Sequence, residues 1–344
     1  MANKETKTVD YARLERVVQI GTRFMDNVID ATPYFMEENT KQALGERRLG
    51  MGVMGLHDLL IYCEAEYGSE RGNEIVDKVF EVMATTGYRA SIELAKEKGS
   101  FPFLKTFADG RERFINSGYM KKMPEDIRQG VLEHGIRNSH ILTVAPTGST
   151  GSMVGCSTGL EPYFSFKYFR SGRLGKFMEV NAEIVQEYLN ANPGADKDNL
   201  PAWFVSAMQL SPEAHADVQC IIQRWIDSSL SKTVNAPKGY SVKQVEAVYQ
   251  RLYKGGAKGG TVYVDGSRDA QVLSLTAEEN TFEDTEVESP KVVLVDTINE
   301  VRSTDVTYGN EVGETCPVCR KGEIIDAGGC NTCSNCGAQL KCGL

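Results

Sequence analysis

The sequence lacks any long hydrophobic run, and this absence excludes a protein that spans a membrane. Its longest uninterrupted aliphatic stretch is four residues, at positions 292–295. A membrane-spanning helix needs about 20 consecutive apolar residues. The first ten residues, MANKETKTVD, are polar and show no apolar stretch of the kind that a secretory signal carries. We therefore expect a cytoplasmic protein that has no membrane partner.

The chain also lacks an excess of basic residues. Between positions 277 and 315 there are 11 acidic and 2 basic residues, a net charge of −9, which equals the formal net charge of the whole 344-residue chain. The remaining residues therefore sum to zero, and the acidity belongs to one segment. Proteins that bind nucleic acid by neutralising its phosphates need a basic surface, so the composition argues against a nucleic-acid partner.

Cysteine is scarce in most of the chain and crowded at one end. Three cysteines lie in the first 315 residues, and six lie in the last 29. An odd total of nine, without a secretory signal, favours a reducing compartment in which clustered cysteines serve metal or redox chemistry. The four histidines show no spacing typical of a metal site, and we assign none of them a role.

Four of the clustered cysteines are spaced as in a zinc-binding tail. They form two Cys-x-x-Cys pairs separated by thirteen residues, namely Cys316, Cys319, Cys333 and Cys336. Each pair occupies a tight turn that directs two thiolates to one point, and two such pairs supply the tetrahedral ligand set of structural Zn²⁺. Because so short a segment buries little surface, the metal would supply its folding free energy. A redox-active or free cysteine tail is the alternative.

Two further cysteines in the tail, Cys330 and Cys342, are left over from the proposed ligand set. Surplus thiols on such a segment either shuttle disulfides or are inert, and the sequence alone leaves both alternatives open.

Hydrophobic periodicity predicts an α/β architecture in three regions. Residues 1–275 form the main domain, 276–313 an acidic linker with a short strand at 291–296, and 314–344 the cysteine-rich tail. Helices are predicted over residues 8–30, after position 55, and over 73–96, 178–190, 213–231 and 241–253. Strands are predicted over 139–145 (SHILTVA) and 259–264 (GGTVYV).

A loop rich in small and hydroxyl residues follows the first predicted strand. It contains Pro146, Thr147, Gly148, Ser149 and Thr150. A strand that ends in small residues and opens into a helix leaves several backbone N–H groups convergent and unpaired, and such a loop binds phosphate. No Gly-Lys-Ser/Thr follows, so the loop is not a Walker motif. An ordinary hydroxyl-rich loop is the alternative.

The glycines at positions 50, 52 and 55 match the G-x-G-x-x-G pattern of dinucleotide sites. The segment before them, KQALGERRL, is charged and does not resemble the apolar strand that such a site requires. We therefore interpret these glycines as positions of close packing between a strand and a helix.

Several segments together resemble class II, adenosylcobalamin-dependent, ribonucleotide reductases. They are FMDNVIDATPYF (24–35), ERRLGMGVMGLHDLL (46–60), RNSHILTVAPTGSTGSMVGCSTGLEPYF (137–164), the segment 230–268 that ends in GGTVYVDGSR, and the cysteine-rich C-terminus. Their order and spacing are similar to those of the family's C-terminal portion. The resemblance covers nearly the whole chain.

The resemblance implies an α/β fold, the C-terminal part of a ten-stranded barrel, together with the small zinc-ribbon-like tail. It implies that residues 146–150 hold the phosphates of a ribonucleotide through backbone amides. In this family adenosylcobalamin generates a thiyl radical on a loop cysteine, two further cysteines supply reducing equivalents, and a glutamate acts as general base. The tail cysteines, here Cys330 and Cys342, would re-reduce the active site with electrons from a thioredoxin-like protein.

The chain departs from the family at its catalytic loop. In the family a reducing cysteine is followed two residues later by the glutamate, and none of the nine cysteines here has that neighbour. We therefore expect no catalytic residue in this chain and interpret it as the C-terminal subunit of a split reductase. A separate N-terminal subunit would carry the catalytic cysteines, and this chain would be inactive alone. The alternative is a non-catalytic nucleotide-binding or regulatory remnant with a structural zinc site.

Overall fold

The computed structural model describes residues 1–172, 175–267, 309, 311–327 and 330–342. The chain divides into two compact units, Met1–Glu278 and Glu279–Leu344. Most of the predicted linker, including its predicted strand at 291–296, lies outside the described residues. The three-region organisation, with boundaries after 275 and 313, stays a prediction.

The first unit is mainly helical. Its helices are α1 (Tyr11–Ala31), α2 (Glu37–Glu46), α3 (Leu56–Tyr62), α4 (Glu70–Lys98), α5 (Gly110–Ile115), α6 (Glu125–His134), α7 (Gly148–Met153), α8 (Glu183–Ala191), α9 (Pro212–Gln223) and α10 (Val242–Lys254). Its strands are β1 (Ala2–Asn3), β2 (Thr8–Val9), β3 (Lys167–Gly172), β4 (Gly175–Asn181), β5 (Thr233–Ala236) and β6 (Thr261–Val264). No helix in the described residues is both long and apolar enough to cross a membrane.

The long helices begin where the sequence offers a capping side chain. Asp10 caps α1 by accepting a hydrogen bond from the Arg13 amide, and Ser69 caps α4 in the same way. Ser241 and Gln244 form a reciprocal capping box at the start of α10. The buried faces of α1 and α4 pack on each other and contribute to the main core. The helix predictions for 8–30, 73–96 and 241–253 therefore agree with the structure to within a few residues.

Parallel backbone segments cross the core of the first unit. The segment at 140–144 hydrogen-bonds to residues 49–51 on one side and to residues 228–231 on the other. Parallel bridges join Met51 to Leu142 and Val144 to Leu230. Beyond the second bridge, β5 pairs in parallel with β6. These segments give the mixed helix and strand architecture that the sequence predicts, but within the described residues they do not close into a barrel.

The predicted strand at 139–145 is extended and buried, but its ladder is interrupted. The Asp227 carboxylate accepts hydrogen bonds from the amides of Ile141 and Leu142, at 2.7 and 3.0 Å. Because those amides are used by a side chain, only isolated bridges form along the segment. Asp227 also accepts a hydrogen bond from the Tyr88 hydroxyl of α4 at 2.8 Å. One carboxylate therefore ties the central segment to the longest helix.

Two helix predictions need correction. Residues 178–181 belong to strand β4, which pairs antiparallel with β3, and the helix α8 begins only at Glu183. The helix predicted over 213–231 ends at Gln223, because the backbone at 228–231 hydrogen-bonds to the central segment instead.

The glycines at 50, 52 and 55 are explained by close packing. A Cβ atom on Gly52 would lie 2.4 Å from the carbonyl oxygen of Thr143, so only glycine fits against the central segment. Gly55 precedes α3 with a φ of 76°, in the left-handed region. These observations support the packing interpretation of this motif.

The second unit contains a three-stranded antiparallel sheet. Its strands are β7 (Ile324–Asp326), β8 (Cys330–Cys333) and β9 (Gln339–Cys342), in the order β7-β8-β9. The turn between β8 and β9 carries the second Cys-x-x-Cys pair. Ile324, Cys316 and Cys333 form its small buried cluster.

Candidate functional site: a phosphate loop and a four-cysteine cluster

The predicted phosphate loop lies beyond the carboxyl end of the central parallel segment, where ligands of parallel α/β folds bind. Thr147 adopts the left-handed conformation, with φ 49° and ψ 31°, and the helix α7 begins at the next residue. This conformation costs a β-branched residue about 1–2 kcal/mol. Its neighbours must therefore stabilise it, and they do so through the Thr147 side chain.

The start of α7 presents backbone donors to solvent. Within the described part of the chain, the amides of Gly148, Ser149 and Thr150 donate no hydrogen bond to protein. All three residues are exposed, as is Pro146. The structure thus brings the five predicted residues into one exposed turn with three consecutive free N–H groups. Such an array can bind an anionic oxygen.

A second turn, residues 156–161, supports the loop from behind. The Gly159 amide donates a hydrogen bond to the Thr147 hydroxyl oxygen at 2.7 Å. A Cβ atom on Gly159 would lie 3.0 Å from the carbonyl oxygens of both Ala145 and Pro146, so the two turns are in close contact. The amide of Cys156 also donates to the Gly151 carbonyl oxygen, at 3.1 Å. The loop conformation therefore depends on this second turn.

The second turn is anchored at both of its ends. At one end the Asp58 carboxylate accepts hydrogen bonds from the Ser157 amide and from the Tyr163 hydroxyl, each at 2.7 Å. At the other end the Tyr67 hydroxyl donates to the Leu160 carbonyl oxygen at 2.7 Å. Asp58 and Tyr67 come from α3 and from the loop that precedes α4, so helices distant in sequence fix this turn.

Glu161 provides a further anchor through a buried lysine. Its carboxylate accepts hydrogen bonds from the Lys232 ammonium at 2.8 Å and from the Thr233 amide at 2.5 Å. Lys232 also donates to His215 Nδ1 and to the Thr233 carbonyl oxygen, each at 2.9 Å. Burial, together with the Lys232 charge, lowers the pKa of His215 to about 3, so its ring stays neutral and accepts at Nδ1.

Sequence reasoning missed this cluster. The sequence assigns no role to Lys232, and His215 is among the histidines without a role. Lys232 lies 71 positions from Glu161 and is fully buried in a segment with no motif of its own. An isolated lysine in an otherwise uncharged stretch is the only signal that the sequence offers.

The three cysteines outside the tail resemble ordinary core or half-buried thiols. Burial raises the pKa of Cys63, of Cys156 and of Cys220. A raised pKa keeps each thiol protonated and therefore weakly nucleophilic near neutral pH. That this chain carries no catalytic cysteine stays a prediction.

The four predicted zinc ligands come together in the second unit. The sulfur atoms of Cys316, Cys319, Cys333 and Cys336 all lie within 4.8 Å of one another. Two of the separations are 3.9 Å, between Cys316 and Cys336, and 3.5 Å, between Cys319 and Cys333. Thiolates on a tetrahedral Zn²⁺ with Zn–S bonds of ~2.3 Å lie about 3.8 Å apart. The donor set and its dimensions therefore fit zinc.

Hydrogen bonds to sulfur support the ionised form that a metal requires. The Asn335 side chain and the Gly322 amide donate to Cys319 Sγ at 3.5 and 3.4 Å. These bonds lower the pKa of Cys319 to about 5. A thiolate at neutral pH is the form that binds metal, so the cluster is prepared for a cation.

The two remaining tail cysteines are opposite each other in the sheet. Cys330 on β8 is the register partner of Cys342 on β9. Cys330 is disulfide-bonded, whereas the four clustered cysteines are free thiols. The tail therefore contains a cluster of four thiols and, separate from it, an oxidised cysteine at position 330.

The residues predicted for phosphate and for metal do not line the open groove that the described residues form beside α4. That open groove, about 1250 Å³, lies between the start of α4 and the end of α9 and contains none of them. The predicted phosphate and metal residues therefore lie outside this groove.

Comparison with known proteins decides which family this architecture represents. Residues 1–263 match the family model described as "Ribonucleotide reductase, barrel domain". The chain belongs to the ribonucleotide reductase family. A vitamin B12-dependent ribonucleoside-diphosphate reductase of Mycobacterium tuberculosis (strain ATCC 25618 / H37Rv) is 33% identical over 287 residues, which cover 78% of this chain and 38% of that protein.

Two further relatives of this reductase chain support the same assignment. A vitamin B12-dependent ribonucleoside-diphosphate reductase of Thermoplasma acidophilum is 32% identical over 300 residues, covering 82% of this chain and 36% of that protein. A ribonucleoside-diphosphate reductase subunit alpha of Chlamydia muridarum is 26% identical over 314 residues, covering 80% and 29%. The reductase chain thus spans less than two fifths of the length of these relatives.

Proposed function

We propose that this chain is the C-terminal subunit of a vitamin B12-dependent ribonucleotide reductase. It contributes the substrate phosphate site and the cysteine-rich tail to the radical reduction of ribonucleotides, di- or triphosphates, to deoxyribonucleotides. A separate N-terminal subunit supplies the radical cysteine and the glutamate. One observation carries the proposal: a member of this family keeps the phosphate loop, yet none of its nine cysteines is followed two residues later by glutamate.

In this proposal the phosphate loop positions the substrate. Gly148, Ser149 and Thr150 offer three amide donors to the phosphate oxygens, while Pro146 and Thr147 shape the turn that directs them. Fixed donors lower the entropy lost when the substrate is positioned for reaction. Binding the anionic end leaves the ribose free to face the catalytic loop of the partner.

The cofactor belongs to the assembled enzyme. When bound, adenosylcobalamin supplies the radical with which the reaction begins. Within the described residues, His57 and His215 are buried and neutral, because burial lowers the pKa of each to about 3. We assign no cobalamin contact to this chain.

The tail holds a structural zinc ion and carries electrons. Cys316, Cys319, Cys333 and Cys336 ligate Zn²⁺, which holds the small sheet together. Cys330 and Cys342, in their dithiol form, reduce the disulfide that each turnover leaves in the active site. Two electrons and two protons pass to that disulfide, and the tail pair becomes oxidised. A thioredoxin-like dithiol protein then reduces the tail pair.

Replacing Cys330 and Cys342 by serine tests the shuttle. We expect turnover with a thioredoxin-like donor to be abolished, because the donor no longer reaches the active-site disulfide. Turnover with dithiothreitol should persist, because a small dithiol enters the site directly. The assay is deoxyribonucleotide formation by the complete complex, and Cys220→Ser is the matched control. Normal turnover of the double variant with the protein donor would exclude a shuttle through these cysteines.

Reconstitution tests the subunit proposal itself. The tagged chain is captured from its native host, and the captured material is assayed for ribonucleotide reduction with adenosylcobalamin. We expect a second polypeptide containing a Cys-x-Glu sequence, and activity only when both are present. A single longer polypeptide that contains this sequence would contradict the split. Activity from this chain alone would contradict the assignment of the radical cysteine to a partner.

The alternative function is a non-catalytic nucleotide-binding or regulatory remnant with a structural zinc site. The same observation favours it, since the phosphate loop is present without the catalytic motif. The two functions differ in how ribonucleotide reduction depends on this chain. A remnant binds nucleotide and changes the activity of another, complete reductase, whereas a subunit is required for activity.

A further inference from the structure

A buried ammonium group lies behind the phosphate loop, and the proposed function gives it no role. Lys232 is fully buried, and its three hydrogen bonds go to Glu161, to His215 and to the carbonyl oxygen of Thr233. Those bonds use all the donors that an ammonium has. His215 Nε2 in turn contacts the Ala207 carbonyl oxygen at 2.8 Å, which fixes the ring. The ammonium is therefore held in one position.

A short chain of contacts links Lys232 to the loop. Lys232 and the Thr233 amide hold both carboxylate oxygens of Glu161. Glu161 closes the turn through its amide, which donates to the Thr158 carbonyl oxygen at 2.9 Å. The same turn carries the Gly159 amide that binds the Thr147 hydroxyl. Displacement of Glu161 would therefore move the group that stabilises the strained residue of the loop.

We infer that Lys232 is a positioning residue for phosphate binding. It holds Glu161, and through the 158–161 turn it holds Thr147 in the conformation that exposes the amides of residues 148–150. The inference rests on the proposed phosphate site and adds to it a residue outside the loop. Lys232 acts through Glu161 and Gly159, with no requirement that it touch the substrate.

The variant Glu161→Gln distinguishes this inference from a purely electrostatic effect of the Lys232–Glu161 pair. If the Lys232–Glu161 pair acted only through its electric field, removing the Glu161 carboxylate would strengthen the binding of an anion. If the pair positions the loop, replacing that carboxylate weakens anion binding, because a glutamine accepts through one oxygen only and cannot keep the bonds from both Lys232 and the Thr233 amide. The two accounts therefore predict opposite signs for Glu161→Gln. This substitution preserves the size of the side chain, and Glu161 is partly exposed, so the variant should fold.

The experiment is a ³¹P NMR titration of the full chain with inorganic pyrophosphate, accompanied by thermal unfolding. The variants are Glu161→Gln, Lys232→Met and the double variant. The matched control is Lys258→Met, because Lys258 is an exposed lysine that likewise donates to backbone carbonyl oxygens, those of Asp227 and Ser228. We expect Glu161→Gln to weaken pyrophosphate binding roughly tenfold, the effect of one charged hydrogen bond.

The double variant should bind no more weakly than the worse single variant, because both changes break the same link. The Lys258→Met control should bind like the wild type. Unchanged or tighter pyrophosphate binding by Glu161→Gln overturns the inference, even where Lys232→Met fails to fold. A lowered unfolding midpoint of Glu161→Gln with unchanged affinity also overturns it. A wild-type chain that does not bind pyrophosphate overturns the phosphate site itself. If the wild type binds and Glu161→Gln binds equally well, only the role of Lys232 is overturned.

Discussion

Removing Zn²⁺ from the tail is expected to unfold it. A strong chelator, or the substitution Cys316→Ser, should abolish the dispersed NMR signals of residues 311–342. The tail buries only a few residues, so its folding depends on the metal. Structural zinc contributes about 10–16 kcal/mol to such small domains at neutral pH. The measurement is zinc content, expected at one equivalent per chain, together with amide dispersion before and after chelation.

The control for this experiment is Cys220→Ser, which lies outside the cluster and should keep its zinc. The 1–278 unit should stay folded throughout, because its main hydrophobic core is formed by its own residues, between Val9 and Ile226. A metal-free chain whose tail signals remain dispersed would contradict the zinc assignment. Full zinc content in Cys316→Ser would do the same.

The second large effect is expected at Asp26, at the centre of a buried charge cluster. Asp26 is fully buried on α1 and accepts hydrogen bonds from Arg47 at 2.9 Å, from Arg137 at 3.2 Å and from Asn138 at 3.0 Å. Asp26→Asn should lower the free energy of unfolding by about 3–5 kcal/mol, because Arg47 and Arg137 lose their buried counter-charge and keep only the half-exposed Asp30 carboxylate. Urea denaturation measures the change. Equal stability of the variant and the wild type would show that the cluster makes no net contribution to the free energy of unfolding.

The pH dependence of stability tests the contribution of the Asp26 carboxylate independently. Burial by itself would raise the pKa of Asp26, but the Arg47 hydrogen bond and the charges of Arg137 and Arg47 lower it below 3.8. A depressed carboxyl pKa contributes stability that is complete above the unfolded value of 3.8 and is lost as the pH falls through the folded value. Asp26→Asn should remove this loss of stability at acid pH.

An exposed ion pair between α1 and α4 serves as the matched control. Arg23 and Glu97 form a bidentate contact at the surface, at 2.6 and 2.9 Å. Water screens such a pair, so Glu97→Gln should leave the unfolding midpoint unchanged. A large effect at Glu97 and none at Asp26 would reverse the expected order.

The sequence predicts those elements whose signals are local. The helices α1, α4 and α10 carry apolar residues at helical spacing and begin at capping residues, and all three form close to the predicted positions. The cluster of four cysteines is also local, since its two pairs are close in sequence and each pair sits on one turn. Periodicity and spacing are sufficient where neighbours along the chain are also neighbours in space.

Prediction fails where the partner lies elsewhere in the chain. Residues 178–181 have an apolar spacing compatible with a helix, but pairing with β3 makes them a strand. Residues 228–231 leave the predicted helix because the central segment needs their backbone groups. Lys232 gives no local sign of its contact with Glu161, 71 positions away. The turn at residues 146–150 is predictable from its small and hydroxyl residues, but the contacts that support it are not.

The proposal that a partner subunit, and not this chain, carries the catalytic cysteine is tested most directly by one measurement. In the reconstituted complex, the cysteines outside the tail are replaced together, as Cys63→Ala, Cys156→Ala and Cys220→Ala, and ribonucleotide reduction is assayed with dithiothreitol. We expect the triple variant to retain most of the wild-type rate, while alanine at the partner's Cys-x-Glu cysteine abolishes it. Loss of activity on replacing Cys156 alone, with the fold and pyrophosphate binding intact, would place a catalytic thiol in this chain and contradict the account.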